Sequence, residues 1–251
     1  MTEFFDLIPL HVIIIYLVVI FMAGVLRGTF GFGDGLFVIP VMMSFLDVNT
    51  IIAIMVWFEL VMIFYLVGFQ YKEIDFSLQI GLLKWAILGI PLGLLFLKWT
   101  PEYWLKLGFG PVVLMFALTG LTPLGSKVRI NDLSEAFFGF LAGVLAGAYN
   151  ASGPPMVTYI SRFQFSPKKF VINLQAHFLV STLFLLVGHF FNGFWSRKVF
   201  FFIALGLPVL LLALYTGQKL RGVIHPEQYS SLIFKLLLLI ALISLGRIFL
   251  E

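Results

Sequence analysis

Residues 24–35 read GVLRGTFGFGDG, an arginine, an aspartate and five glycines set between runs of Val, Ile, Leu and Phe. What such a stretch can do depends on the solvent around it, and the composition fixes that solvent. The 251 residues are 61% hydrophobic and 11% charged, with a mean hydropathy of +1.07, outside the range of soluble domains. Apolar runs of roughly 17 to 25 residues, the length that crosses a bilayer as helix, recur from end to end. The chain therefore reads as an all-α, polytopic transmembrane helical bundle with no soluble domain.

Before Arg27 the only charged residues are Glu3 and Asp6, so the basic start of a secretory signal is missing and the first apolar stretch is expected to stay. There is no cysteine, which excludes disulfides, thiolate metal sites and thiol nucleophiles. The net charge of +4 comes from loop Lys and Arg that orient a membrane protein, and it implies no nucleic acid partner.

The apolar segments cover 8–26, 36–46, 51–69, 76–97, 103–121, 133–149, 156–163, 170–190, 199–217 and 229–250. Two of them, 36–46 and 156–163, are too short to cross, and each follows a Gly- or Pro-rich break, as discontinuous or re-entrant helices do. Eight to ten helical segments are expected in all.

The two breaks correspond. An offset of about 119 residues lays AGVLRGTF (23–30) on AGVLAGAY (142–149), and YLVG, LGIP and TPE of the first half meet LLVG, LGLP and HPE of the second in the same order. The expected organisation is one membrane domain of two repeats, 1–125 and 126–251. If each break is a hairpin followed by three full spans, the repeats are inverted; if each is a single kinked span, they are parallel. The inverted arrangement gathers Lys72, Lys127, Arg129, Arg162, Lys168, Lys169, Lys219 and Arg221 on the cytoplasmic side and leaves the loop at Asp47 outside, with Arg197, Lys198 and Lys98 against the trend.

A charge at the centre of a membrane helix costs about 2.5–3.5 kcal/mol on the insertion scale, so Arg27, Asp34, Glu59, Lys84 and His177 each need a partner or a task. Lys235 and Arg247 lie near helix ends and are expected to snorkel. Arg27 and Asp34 either form an internal salt bridge or belong to an anion site, in which glycines such as Gly31 and Gly33 let backbone N–H groups approach and a half-helix N-terminus adds its dipole. The second break, GAYNASGPP (147–155), places Asn150, Ser152 and Gly153 before two prolines that cannot donate backbone hydrogen bonds. Facing unwound loops of this kind hold substrate in repeat-built transporters.

Glu59 and His177 follow the two breaks at nearly equivalent places and are candidates for a coupling proton. On the second segment Asn173 and His177 share a helical face and Gln175 points away. Asn173 with His177 is accordingly the stronger expectation, and Gln175 the weaker. The remaining histidines are scattered, so no metal and no cofactor is expected.

The motifs GVLRGTFGFGDGLFVIP and GFLAGVLAGAYNASGPPMVTY, in a duplicated chain of this length, resemble the TauE/SafE family of membrane permeases. The resemblance implies transport of small anions, sulfur oxyanions or organosulfonates such as sulfite or sulfoacetate, across the bacterial inner membrane, without enzymatic turnover. The family's first motif is usually G-x-G-G-G; here Asp34 stands in place of a glycine. Secondary transport by alternating access is the leading expectation, driven by a proton or sodium gradient or by the substrate's own gradient, since no nucleotide-binding motif is present. A passive channel and an intramembrane enzyme using Asp34, Glu59 and His177 are the alternatives. Lipid surrounds the protein, and a homodimer is compatible with the sequence.

Overall fold

The computed structural model describes residues 9–43, 45–68, 70–121 and 132–248, and all regular structure among them is helical. The first half contributes α1 (Leu10–Phe30), α2 (Asp34–Met42), α3 (Val48–Val67), α4 (Phe76–Trp99) and α5 (Glu102–Leu121). The second contributes α6 (Asp132–Tyr149), α7 (Gly153–Ile160), α8 (Pro167–Phe191), α9 (Arg197–Val223) and α10 (Pro226–Ile248). Each set runs long, short, long, long, long. The short members α2 and α7 are the two segments too short to cross, and five helices, α1, α3, α4, α8 and α9, are long and apolar enough to span. The protein is a polytopic helical bundle.

Polar residues at the ends of the apolar runs set the boundaries. Asp47, Asp75, Ser166 and Ser196 accept from the backbone N–H three residues on and cap α3, α4, α8 and α9. Pro91 and Pro208 lie inside α4 and α9 at the matched LGIP and LGLP sites, removing one helical hydrogen bond from each.

The helices interleave. α4 packs along α6 and α1 along α9, so the first helix of each half lies on the fourth of the other; α5 meets α10, and α3 meets α8. Every principal α-helix pairing in the bundle maps onto another, or onto itself, when the first five helices are exchanged with the last five.

Glycines make the two crossed pairs close. A Cβ on Gly143 would collide with the Ala86 carbonyl, and one on Gly147 with that of Ile90, so α6 rests directly on the α4 backbone. Gly28 stands in the same relation to Leu214 and Gly217 of α9. On α1, Tyr16 donates to the Phe202 carbonyl at 2.6 Å and Thr29 to that of Gly217 at 3.2 Å.

Side pairings group the loops. Lys168 reaches Glu73 at 3.4 Å, and Lys198 reaches Asp47 at 3.3 Å. Residues 73 and 168 therefore share one end of the bundle and residues 47 and 198 share another contact region. Lys198, an exception to the expected charge bias, thus has a local carboxylate partner. Lys127 and Arg129 lie outside the described residues, as does the side chain of Arg247; Lys235 is exposed.

Candidate functional site

Both breaks are built by the same backbone turn. α1 stops at Phe30 because Gly31 adopts φ +83°, returning its N–H to the Arg27 carbonyl at 2.7 Å. A side chain at Gly31 would also strike Val171. α6 stops at Tyr149 because Asn150, 119 positions later, adopts φ +49° and returns its N–H to Ala146 at 2.8 Å. Asparagine is among the few non-glycine residues that tolerate this conformation.

The chain then restarts as α2 and α7, and the two restarts touch. A Cβ on Gly35 would sit 3.0 Å from the Asn150 carbonyl, and one on Gly153 3.0 Å from Phe32. Between them lies a cavity lined by Arg27, Gly33, Asp34, Glu59, Asn150 and Ser152, among others. Its free space, ≈ 10 Å³, is that of about one water molecule. The N-terminal turns of both short helices open on this space and bring a partial positive charge to it; α2 adds backbone N–H groups without helical partners, whereas in α7 Pro154 and Pro155 have none and Gly153 is the donor.

Arg27 occupies the centre. Its Nη1 donates to Asp34 Oδ1 at 2.9 Å, and its Nη2 to Glu59 Oε1 at 3.1 Å and to Gln175 Oε1 at 3.0 Å. The Phe178 ring lies 4.7 Å from the guanidinium carbon, while the buried Nε has no partner. Gln175 Nε2 donates onward to the Gly31 carbonyl at 2.7 Å, tying the guanidinium to the turn that ends α1. All three charged groups are buried, Arg27 at 3% exposure. The internal salt bridge weighed from sequence is therefore present, and with both carboxylates ionised the cluster carries one excess negative charge.

Of the residues singled out from sequence, Arg27, Gly33, Asp34, Glu59, Asn150, Ser152 and Gly153 line the cavity; Gly31 does not, and its carbonyl is held by Gln175. The expected order on α8 is reversed. Gln175, ranked lowest, holds the guanidinium, whereas Asn173 is fully engaged elsewhere: it accepts from the Asp75 N–H at 2.8 Å and donates to the carbonyls of Glu73 and Lys169. Asn173 thus fastens the start of α4 to α8. His177 is wholly buried with neither ring nitrogen bonded, and it does not line the cavity. Lys84 is not a partner of Glu59; its half-exposed ammonium pairs with Glu135 at 3.3 Å.

Phe178 was missing from the sequence reading. The 119-residue offset places it on Glu59, and the two cover the same guanidinium from α8 and α3. The same offset pairs Asp34 with Gly153, so the first position of α2 carries a carboxylate where that of α7 carries none.

Residues 16–245 match the family described as Sulfite exporter TauE/SafE. No curated protein and no solved structure matches the chain. The match spans nearly the whole sequence: this chain belongs to the TauE/SafE family.

Proposed function

We propose that the protein is a secondary permease for small anions, sulfur oxyanions or organosulfonates such as sulfite or sulfoacetate, working by alternating access in the bacterial inner membrane. The observation that carries this reading is the convergence of two half-helix N-termini and one buried arginine on one small cavity. Half-helix N-termini facing each other at a repeat interface are the anion-binding device of repeat-built transporters. The family description, of an exporter, points the same way.

The two N-termini are unequal. Asp34 already supplies a negative charge to α2 and to Arg27, whereas Ser152, at the α7 end, makes no side-chain cap. The anion is therefore assigned to the α7 end, against Ser152, Asn150 and the Gly153 N–H. An oxyanion of four or more heavy atoms needs several times the space of one water, so the cavity must enlarge to admit it. The exchangeable packing of the halves, taken as repeats 1–125 and 126–251, supplies two equivalent ways to open, and the inverted arrangement places residues 71–75 and 161–169 in the cytoplasm.

The test is uptake of labelled sulfite into proteoliposomes. Arg27→Ala is expected to abolish transport, and Ser152→Val and Asn150→Leu to cut it at least tenfold, with each variant still present in the membrane. Undiminished transport by Arg27→Ala would remove the arginine from the mechanism.

A further inference from the structure

The cluster around Arg27 holds two carboxylates for one cation, and among the described residues nothing else facing it is charged. α1 contributes Arg27, α2 Asp34 and α3 Glu59; α8 presents Gln175 and Phe178, and the second break presents Asn150 and Ser152. His177 and Lys84 stand apart from it, the one without hydrogen bonds and the other paired with Glu135. If a monoanion joins this site while both carboxylates are ionised, three negative charges surround one guanidinium in a buried place. Uncompensated buried charge is among the costliest arrangements a protein can adopt.

We infer that Glu59 takes up one proton each time an anion binds, the two events being linked through competition for Arg27. This rests on the anion-permease reading above. With the anion in and one proton on Glu59, the net charge of the site is the one it already carries without the anion.

The geometry selects Glu59 over Asp34. Asp34 sits at the first position of α2, where unpaired backbone N–H groups and the helix dipole hold a carboxylate, and it has Nη1 of Arg27 to itself at 2.9 Å. Glu59 sits in the interior of α3, away from any helix end, and shares Nη2 with Gln175. Nη2–H and Nε–H form one edge of the guanidinium, and Nε is the buried donor without a partner. Release by a protonated Glu59 leaves one Nη2–H, beside the unpartnered Nε–H, for the oxygens of a sulfonate or sulfite, while Gln175 keeps its own hydrogen bond to Nη2.

The measurement is isothermal titration of methanesulfonate, a monoanion throughout the pH range used, into purified protein at one pH in buffers of different ionisation enthalpy, which counts protons taken up per anion. One proton is expected for the unaltered protein, with the apparent Kd rising tenfold per pH unit where Glu59 is ionised in the anion-free state. Glu59→Gln is expected to bind with uptake near zero and a flat pH profile. Asp47→Asn, remote from the cavity, is expected to keep an uptake of one. Binding by the unaltered protein without proton uptake would overturn the inference and leave the anion reading standing, and so would an uptake of one retained by Glu59→Gln. No binding of methanesulfonate, thiosulfate, sulfite or sulfoacetate at any pH, by either form, would overturn both.

Discussion

Replacing Gln175 by leucine tests the site at the residue that the structure promotes. Leucine has similar bulk and is at home in a buried helix, but it offers no acceptor to Arg27 Nη2 and no donor to the Gly31 carbonyl. A hydrogen bond to a charged group contributes about 1.5–3 kcal/mol and a neutral one about 0.5–1.5 kcal/mol. Arg27 keeps both carboxylates, which recovers part of the first figure, whereas the Gly31 carbonyl at a helix end has no substitute. The expected loss is about 2–4 kcal/mol, read from reversible unfolding in mixed micelles, accompanied by weaker anion binding because the end of α1 is no longer tied to the guanidinium. Asn173→Leu, two residues away, removes the side-chain hydrogen bonds to the Asp75 N–H, the Glu73 carbonyl and Gln79 that join α8 to the start of α4, and one to Lys169 within α8, and is expected to cost stability without changing anion affinity per folded molecule. A Gln175→Leu protein within about 0.5 kcal/mol of the parent, the range of inconsequential substitutions, would refute the reasoning.

Other outcomes follow from the packing and the loops. Gly143→Val places a side chain against the Ala86 carbonyl and Cα and is expected to lose about 1–3 kcal/mol or more, seen as loss of monodisperse protein in detergent. Gly222→Ala, where a Cβ meets nothing within 4 Å, is expected to be neutral or to gain up to about 1 kcal/mol from helix propensity. Burial pushes the Asp47 carboxyl up, but the Thr50 hydroxyl and N–H and the Lys198 ammonium outweigh it and hold the group below its ordinary value. A depressed carboxylate adds stability above its unfolded pKa that is lost as pH falls through the folded one. Thermal stability should therefore drop on acidification below the ordinary aspartate range by less in Asp47→Asn than in the parent.

The helical membrane architecture, the two breaks and their correspondence were legible because lipid and backbone chemistry leave few choices: long apolar runs must be helices, and glycines before a short run must interrupt one. The role of α8 was not legible. Residues 170–175 are all buried, so the first turns of the helix show no lipid-facing stripe (one emerges only further on, at Leu183, Phe184 and Val187), and periodicity separates its faces there without saying which one points inward. Asn173 and His177 are grouped apart from Gln175 by spacing, and it is Gln175 that reaches Arg27. Phe178 escaped notice because a phenylalanine in an apolar helix carries no signal of its own; only its register against Glu59 sets it apart. Asp34 was conspicuous in the sequence, but its pairing with Arg27 needed the turn at Gly31, which brings the two to one side.

The crossed packing of α1 on α9 also bears on how the protein is made. α1 leaves the ribosome some 170 residues before the partner that covers its glycines, a wait of roughly ten to thirty seconds at ordinary synthesis rates. During that interval Arg27 would face lipid with no help from the second half. Asp34 follows it by only seven residues and Glu59 by thirty-two, so the arginine's counter-charges are born early, within the same nascent segment. On the anion-permease reading, the carboxylates that compete with the anion in the finished protein would double as escorts for a buried cation during insertion.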